Sequence, residues 1–84
     1  MFYVYVIQSQ KDKSLYIGYT VNLRKRVERH NNGLSLATRP KRPYMLLFYE
    51  GFVNKMDAKH REEYLKSGFG LRSLKKMLKH TLRL

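Results

Sequence analysis

The chain has 84 residues, no cysteine, and 18 Lys and Arg against six Asp and Glu, which gives a formal net charge of +12. This length is near the lower limit for folding without disulfides or metals, so we expect one domain over residues 1–84. The lack of cysteine excludes disulfides and a cysteine-based zinc site and fits a reducing cytoplasm. Neither a signal peptide nor a membrane span is expected. The charge predicts a polyanionic partner, either nucleic acid or an anionic membrane surface. The alternative is a basic protein that is associated with the ribosome or that binds anions nonspecifically.

The first half of the chain predicts two strands and a helix. The β-branched and aromatic run from Phe2 to Ile7 is typical of a strand that is buried on both faces. The polar segment from Gln8 to Ser14 suits a hairpin loop, and Leu15 to Thr20 predicts the second strand. Asn22 has the residue type of a helix N-cap, and the helix is expected to end near Asn31.

The second half predicts a basic loop from Gly33 to Pro43, a third strand from Tyr44 to Val53, and two helices. Asn54 caps the helix from Lys55 to about Lys66, which Ser67-Gly68 ends. A last helix from about Leu71 carries an apolar stripe of four leucines, at positions 71, 74, 78 and 82. The order ββαβαα predicts an α+β fold in which helices cover a small sheet.

Several short elements occur in an order that resembles the motif set of the GIY-YIG nuclease superfamily. They are Tyr3-Val4-Tyr5, Tyr16-Ile17-Gly18, Asn22-Leu23 followed by Arg26 and His30, and Glu62. The resemblance extends from about Phe2 to Lys66. Tyr-Val-Tyr in place of the usual Gly-Ile-Tyr is typical of the small single-domain bacterial branch, which is similar to the N-terminal domain of the excision-repair incision protein. The resemblance implies a three-stranded antiparallel sheet flanked by helices and the hydrolysis of phosphodiester bonds.

The resemblance implies that Tyr5 and Tyr16 bring their phenol groups to the scissile phosphate, where they position or deprotonate the attacking water. A free phenol has a pKa of about 10 and is a poor base at neutral pH, but cationic neighbours favour phenolate. Which tyrosine takes the proton stays open, and composition alone makes either of them an ordinary packing residue. Gly18, inside a strand, predicts either a close approach of backbone or ligand or a bulge.

Arg26 is implied as the cation that stabilises the phosphoryl charge, because a planar guanidinium matches phosphoryl oxygens. Without the motif it would be one of several solvated helix arginines. His30 lies one helical turn further on, and the resemblance assigns it to the active-site surface, where it contacts the phosphate or tunes a tyrosine. A structural or surface histidine is the alternative.

Glu62 is the implied metal ligand, preferred over Glu63 because Leu65 and Lys66 then follow at the spacing of the family. One Mg²⁺ (or Mn²⁺) tolerates a single carboxylate when waters and a phosphate complete its shell. The few, scattered acidic residues favour one ion over two. The alternative for Glu62 is a surface glutamate paired with Lys59 or Lys66.

Basic residues outside the motif are expected to contact the substrate backbone without reading its sequence. They flank Arg26, occupy the proline-restrained loop and lie on the last helix: Arg24, Lys25, Arg29, Arg39, Lys41, Arg42, Lys75 and Lys76. The resemblance favours DNA over RNA as the partner, and a structure-selective or low-specificity endonuclease of repair, recombination or nucleic-acid turnover. No membrane partner is expected, while a directing protein partner and the oligomeric state stay open. The alternative is a non-catalytic DNA- or RNA-binding module with the same fold.

Overall fold

The computed structural model describes residues 1–83, in which three strands form one antiparallel sheet. Strand β1 is Phe2–Ser9, β2 is Leu15–Thr20 and β3 is Tyr44–Phe52, in the order β2-β1-β3. The central strand β1 has four consecutive apolar residues without exposed surface, residues 4 to 7. The predicted α+β class, the antiparallel sheet and the burial of the first strand on both faces are therefore confirmed.

Side-chain caps set where the first two helices begin. Helix α1 is Leu23–Asn31, and the Asn22 side chain accepts a hydrogen bond from the backbone N–H of Lys25 at 3.1 Å. Helix α2 is Lys55–Lys66, and Asn54 accepts one from the N–H of Met56 at 2.8 Å. Both predicted N-caps are confirmed, because each satisfies a backbone donor that has no partner within its helix.

The helices cover opposite faces of the sheet, since successive strand residues point to opposite sides. On one face, Val4 and Val6 pack with Ala58 and Leu65 of α2 and with Leu74 of the following helix. On the other face, Tyr5 and Ile7 form a second cluster with Tyr16, Leu23, Val27, Tyr44 and Leu46. Helix α1 lies on this second face, and the motif tyrosines lie beneath it.

The expected last helix begins earlier and is interrupted. Helix α3 is Gly68–Met77 and helix α4 is Lys79–Leu82, so the predicted start at Leu71 was three residues too late. Ser67 ends α2 and also begins α3, because its hydroxyl accepts a hydrogen bond from the N–H of Gly70 at 3.1 Å. The leucine stripe itself is confirmed, since residues 74 and 78 are buried and residues 71 and 82 pack against them.

The strand ends also differ slightly from the prediction. Strand β1 runs on to Ser9, which is fully buried because its hydroxyl donates to the carbonyl of Lys41 at 2.6 Å. Strand β3 ends at Phe52 rather than Val53, whose side chain is exposed. Residue 84 of the expected domain lies outside the described residues. Within residues 1–83, none of the helices has the length and apolarity that crossing a membrane requires.

The loop between α1 and β3 is tied back to the sheet and contains a 3₁₀ turn, Arg39–Lys41. Gly33 ends α1 with a φ of +75°, a conformation that favours glycine. The Asn31 side chain accepts from the N–H of Tyr44 at 2.7 Å and donates to its carbonyl at 3.1 Å. These bonds hold the end of α1 against the start of β3 and fix the loop over the second face of the sheet.

Candidate active site

Gly18 lets the phenol of Tyr5 extend across strand β2. The two residues are direct partners in the β1–β2 ladder, which is regular at this point. A methyl group built at position 18 would overlap the hydroxyl oxygen and ring carbons of Tyr5. A close approach at Gly18 is therefore present and a bulge between β1 and β2 is not, but the approaching group is the Tyr5 side chain rather than backbone or a ligand.

The Tyr5 hydroxyl joins a buried network with His30 and Arg26. It lies 2.7 Å from Nε2 of His30 and accepts a hydrogen bond from Nε of Arg26 at 3.2 Å. On the far side of the imidazole, Nδ1 of His30 lies 2.7 Å from the Thr38 hydroxyl oxygen. Tyr5, His30 and Thr38 have no exposed surface. The motif residues of β1 and α1 thus form one connected cluster.

The imidazole of His30 bridges two hydroxyl groups. Neutral His30 donates to one of the Tyr5 and Thr38 hydroxyls and accepts from the other. Arg26 can only donate, so the Tyr5 oxygen accepts from it. Burial, with help from Arg26 and Arg29, lowers the pKa of His30 to about 4, so the imidazole is neutral at neutral pH.

For Tyr5, burial outweighs the effect of the cationic neighbours that favour phenolate. Burial raises the pKa of Tyr5 above its ordinary value, and the hydrogen bond and charge of Arg26 offset this only in part. Tyr5 is therefore a neutral phenol that anchors Arg26. In return, the bond to Tyr5 raises the pKa of Arg26 and keeps the guanidinium charged.

Tyr16 is the motif tyrosine that has exposed surface. It is half-buried, and its ring packs edge-on against His30 at 5.1 Å between centroids, with Tyr5 at 6.5 Å. Tyr16 lies close enough to Arg26 to raise the pKa of the guanidinium as well. The structure therefore places Tyr16 between the buried network and solvent, whereas Tyr5 lies behind it.

Glu62 approaches the same end of β2 from the opposite face of the sheet. It lies one helical turn after the buried Ala58, and its negative charge contributes to the raised pKa of Tyr5. One carboxylate oxygen lies 3.0 Å from the ammonium of Lys66, and the other lies 3.7 Å from that of Lys59. The Glu62 side chain is only 15% exposed, although it carries a charge. The expected pairing with lysines is thus present, and the carboxylate is held near the tyrosines.

The carboxylates of the described residues suit a metal ion whose coordination shell is completed mostly by water and substrate. Within residues 1–83, no three His, Cys, Asp or Glu side chains converge on a point that could hold an ion. The Glu62 carboxylate is close enough for its charge to act on Tyr5, and both of its oxygens already attract cationic groups. This arrangement does not fit an ion held wholly by protein, and it fits Mg²⁺ or Mn²⁺ with waters and a substrate phosphate as the other ligands.

The expected backbone-binding cations are exposed, and they lie on three elements. Arg24, Lys25 and Arg29 lie on α1, and Lys75 and Lys76 lie on α3. In the loop, Arg39 donates to the carbonyl of Gly33 at 2.8 Å, and Lys41 lies 3.2 Å from the carboxylate of Asp12. The guanidinium of Arg42 packs over Gly33. The loop cations therefore also stabilise the loop.

Two residues of the network were not singled out by sequence reasoning. Thr38 holds the imidazole of His30, and Asn31 joins α1 to the start of β3. The sequence signal for Asn31 was its position directly after His30 in the motif. Thr38 carries no such signal, because it lies eight residues beyond His30 in a loop whose path depends on the tertiary fold.

The burial of neutral His30 predicts a loss of stability in mild acid. The pKa of His30 is about 4 in the fold, against about 6.5 in an unfolded chain, so its contribution is complete above pH 6.5 and is lost as the pH falls toward 4. We expect the free energy of unfolding to fall by about 3 kcal/mol over this range. Urea unfolding of the unmodified chain at several pH values measures it.

A variant pair isolates this effect. His30→Gln should show a much flatter pH dependence between pH 6.5 and 4.5, whereas His80→Gln, at an exposed histidine, should behave like the unmodified chain. An unchanged pH dependence in His30→Gln would contradict the assignment of the acid sensitivity to this imidazole.

Comparison with known proteins places this cluster in a family. The model of the GIY-YIG catalytic domain matches residues 1–75, so the chain belongs to the GIY-YIG family, which is a family of nucleases. Membership implies binding to nucleic acid. The motif resemblance and the expected fold are thereby confirmed.

The relatives that it matches are small UPF0213 proteins. The chain is 48% identical over 67 residues to a UPF0213 protein of Clostridium perfringens, covering 79% of this chain and 71% of the relative. It is 52% identical over 68 residues to one of Pediococcus acidilactici, covering 77% and 68%. The solution NMR structure of a UPF0213 protein from Bacillus halodurans is also similar, with a TM-score of 0.57 and 30% identity over 92% of this chain and 85% of that one.

Proposed function

We propose that the chain is a Mg²⁺-dependent endonuclease that hydrolyses phosphodiester bonds in DNA with low sequence specificity or with selectivity for structure. The observation that carries the proposal is the convergence of Tyr16, Arg26 and the Tyr5–His30 pair at Gly18, with Glu62 beside them. We place its biological role in repair, recombination or nucleic-acid turnover in the cytoplasm, in keeping with a family of nucleases.

In the proposed mechanism, Tyr16 orients the attacking water. It is the motif tyrosine with exposed surface, and Arg26 lies beside it. Tyr5 and neutral His30 act as positioning residues, since both are buried and their bond orients the Tyr5 oxygen toward Arg26. Holding these groups in place before substrate binds lowers the cost of ordering them in the transition state.

Arg26 is proposed to stabilise the charge that develops on the phosphoryl oxygens. Its Nε–H donates to Tyr5, and the guanidinium has further N–H donors in the same plane. These donors match two phosphoryl oxygens, which a lysine ammonium would not do. The fixed cation is worth more in the transition state than in the ground state, because negative charge builds up there.

Glu62 is proposed to hold one Mg²⁺ or Mn²⁺ on the other side of the scissile phosphate. A bound divalent ion would polarise a phosphoryl oxygen and stabilise the leaving oxygen. Binding of the ion requires Lys59 and Lys66 to move from the carboxylate. Both lysines are about half exposed, so their release into solvent or onto phosphates costs little.

The exposed cations of α1, the loop and α3 are proposed to bind the substrate backbone. Contacts of this kind are independent of sequence and weaken as salt is raised. We propose DNA as the substrate because the cluster positions a water and needs no ribose 2′-hydroxyl as nucleophile. A directing protein partner would add target choice that these contacts do not supply.

A second candidate is a nucleic-acid-binding module that does not cleave. The observation in its favour is that both oxygens of Glu62 are already paired with ammonium groups. If those pairs persist in the presence of Mg²⁺ and nucleic acid, the carboxylate is not free to hold an ion.

One experiment separates the two candidates. Labelled DNA and RNA of one sequence, as single strand, duplex, flap and branched forms, are incubated with the unmodified chain in Mg²⁺ or in EDTA, with binding measured in parallel. We expect cleavage of DNA in Mg²⁺ alone and salt-sensitive binding in both conditions. Binding without cleavage of any form would refute the endonuclease and support the binding module.

A further inference from the structure

A pocket of about 660 Å³ lies along the outer edge of β2, on the face covered by α3 and α4. Its apolar wall is formed by Leu15 and Ile17 of the strand and by Leu71 and Leu82 of the helices. This volume falls in the range of small-molecule and cofactor sites and is sufficient for a single nucleotide. None of the residue roles proposed for catalysis requires a ligand in this pocket.

The pocket adjoins the candidate active site through two shared residues. Tyr16 lines the pocket and also packs against His30 in the tyrosine cluster. Lys66 lines it as well, and its ammonium lies 3.0 Å from the carboxylate of Glu62. The Leu15 and Ile17 wall lies on the opposite face of the sheet from the Tyr16 ring, and β2 is an edge strand. A nucleic-acid strand that passes around this edge would place one group in the pocket and the adjoining phosphate beside Tyr16.

The charge around the pocket identifies the class of ligand. Three lysines line it, at positions 13, 66 and 75, and all three are exposed. The lining residues within the described chain include no Asp or Glu. An apolar wall beneath a cationic border matches a flat, uncharged base attached to an anionic backbone, whereas an uncharged apolar ligand would make no use of the charges of Lys13 and Lys75.

We propose that this pocket takes one unpaired base of the nucleic-acid substrate, next to the scissile phosphate, and so selects strands with an unpaired or extruded nucleotide. This inference depends on the proposed function in one respect, which is the position of the nucleic-acid strand at the candidate active site. A base within a duplex reaches the pocket only by leaving the stack, which costs a few kcal/mol, so a plain duplex binds it less well. Leu15 and Leu71 would contact the base, and Lys75 and Lys66 its flanking phosphates.

Two neighbouring lysines on α3 supply the matched test. Lys75 lines the pocket and Lys76 does not, although both are exposed and both substitutions change the net charge equally. Binding of a short single strand and of a blunt duplex of the same sequence is measured by fluorescence anisotropy, in EDTA so that cleavage does not interfere. We expect Lys75→Glu to weaken single-strand binding roughly tenfold more than Lys76→Glu does, with equal effects of the two on duplex binding.

A second readout reports on the base itself. 2-Aminopurine placed at one position of the single strand is quenched by stacking on its neighbours and brightens when it leaves the stack. The unmodified chain and Lys76→Glu should brighten it at saturation, and Lys75→Glu should do so less. Equal affinities and equal fluorescence for the two variants would overturn the pocket proposal even if the chain cleaves DNA. The expected pattern without any cleavage would support the pocket and refute the endonuclease.

Discussion

Glu62→Gln should abolish metal-dependent cleavage while DNA binding is retained. The amide keeps the shape of the side chain but removes the carboxylate whose charge acts on Tyr5 and which is the proposed metal ligand. Loss of metal stabilisation of several kcal/mol corresponds to a decrease in the single-turnover rate of roughly 10³-fold. Binding should be unchanged or slightly tighter, because the variant carries one negative charge fewer.

The adjacent glutamate is the control for this result. Glu63 is exposed and lies outside the cluster, so Glu63→Gln removes the same charge from the same helix without touching the proposed metal site. It should cleave at the rate of the unmodified chain. Equal rates for the two variants, or full loss in Glu63→Gln alone, would contradict the choice of Glu62.

Arg26→Ala should produce the second large loss of activity, about 10² to 10³-fold in the single-turnover rate. The variant loses the donor that we propose faces the phosphate, and it also leaves the Tyr5 oxygen without its cationic partner. Arg26→Lys should recover little, because an ammonium cannot bond Tyr5 through Nε and hold phosphoryl oxygens in the same plane. Quench-flow cleavage of the DNA form that the chain prefers measures the effect.

Arg24→Ala serves as the comparison for Arg26. Arg24 is exposed on the same helix and is expected only to contact the backbone. Its loss should weaken binding and reduce the salt dependence, and leave the rate at saturating protein unchanged. A similar rate loss in both variants would mean that Arg26 acts through general charge rather than through its fixed position.

Local rules and the motif together predicted much of the fold, and the structure brings Tyr5, Tyr16, Arg26 and His30 of the motif into one cluster. Asn22, Asn54 and the leucine stripe were readable because capping and helical periodicity depend on neighbouring residues. The sequence predicted either a close approach or a bulge at Gly18. Only the position of the Tyr5 ring across β2 decides between the two.

The parts that sequence reasoning missed depend on tertiary packing. The close junction of α2 and α3 depends on Gly70, where a side chain would overlap the carbonyl of Tyr64. The raised pKa of Tyr5 follows from burial, which the overall charge of the chain does not reveal. Thr38 reaches His30 only because the loop is tied to β1 through Ser9 and Lys41. In each case the deciding contact joins segments that are not neighbours in a regular element.

Whether the chain hydrolyses DNA with an activated water can be measured by cleavage in water enriched in ¹⁸O. The unmodified chain is used, and the products are analysed by mass spectrometry. Hydrolysis by an activated water predicts one ¹⁸O in the single terminal phosphate that each cut creates and none in the hydroxyl of the other new end, in Mg²⁺ and not in EDTA. Products without ¹⁸O would show that a group other than water attacks the phosphate. No products in Mg²⁺, from a chain that binds the same DNA, would contradict the assignment of the Tyr16, Arg26 and Glu62 cluster as a nuclease active site.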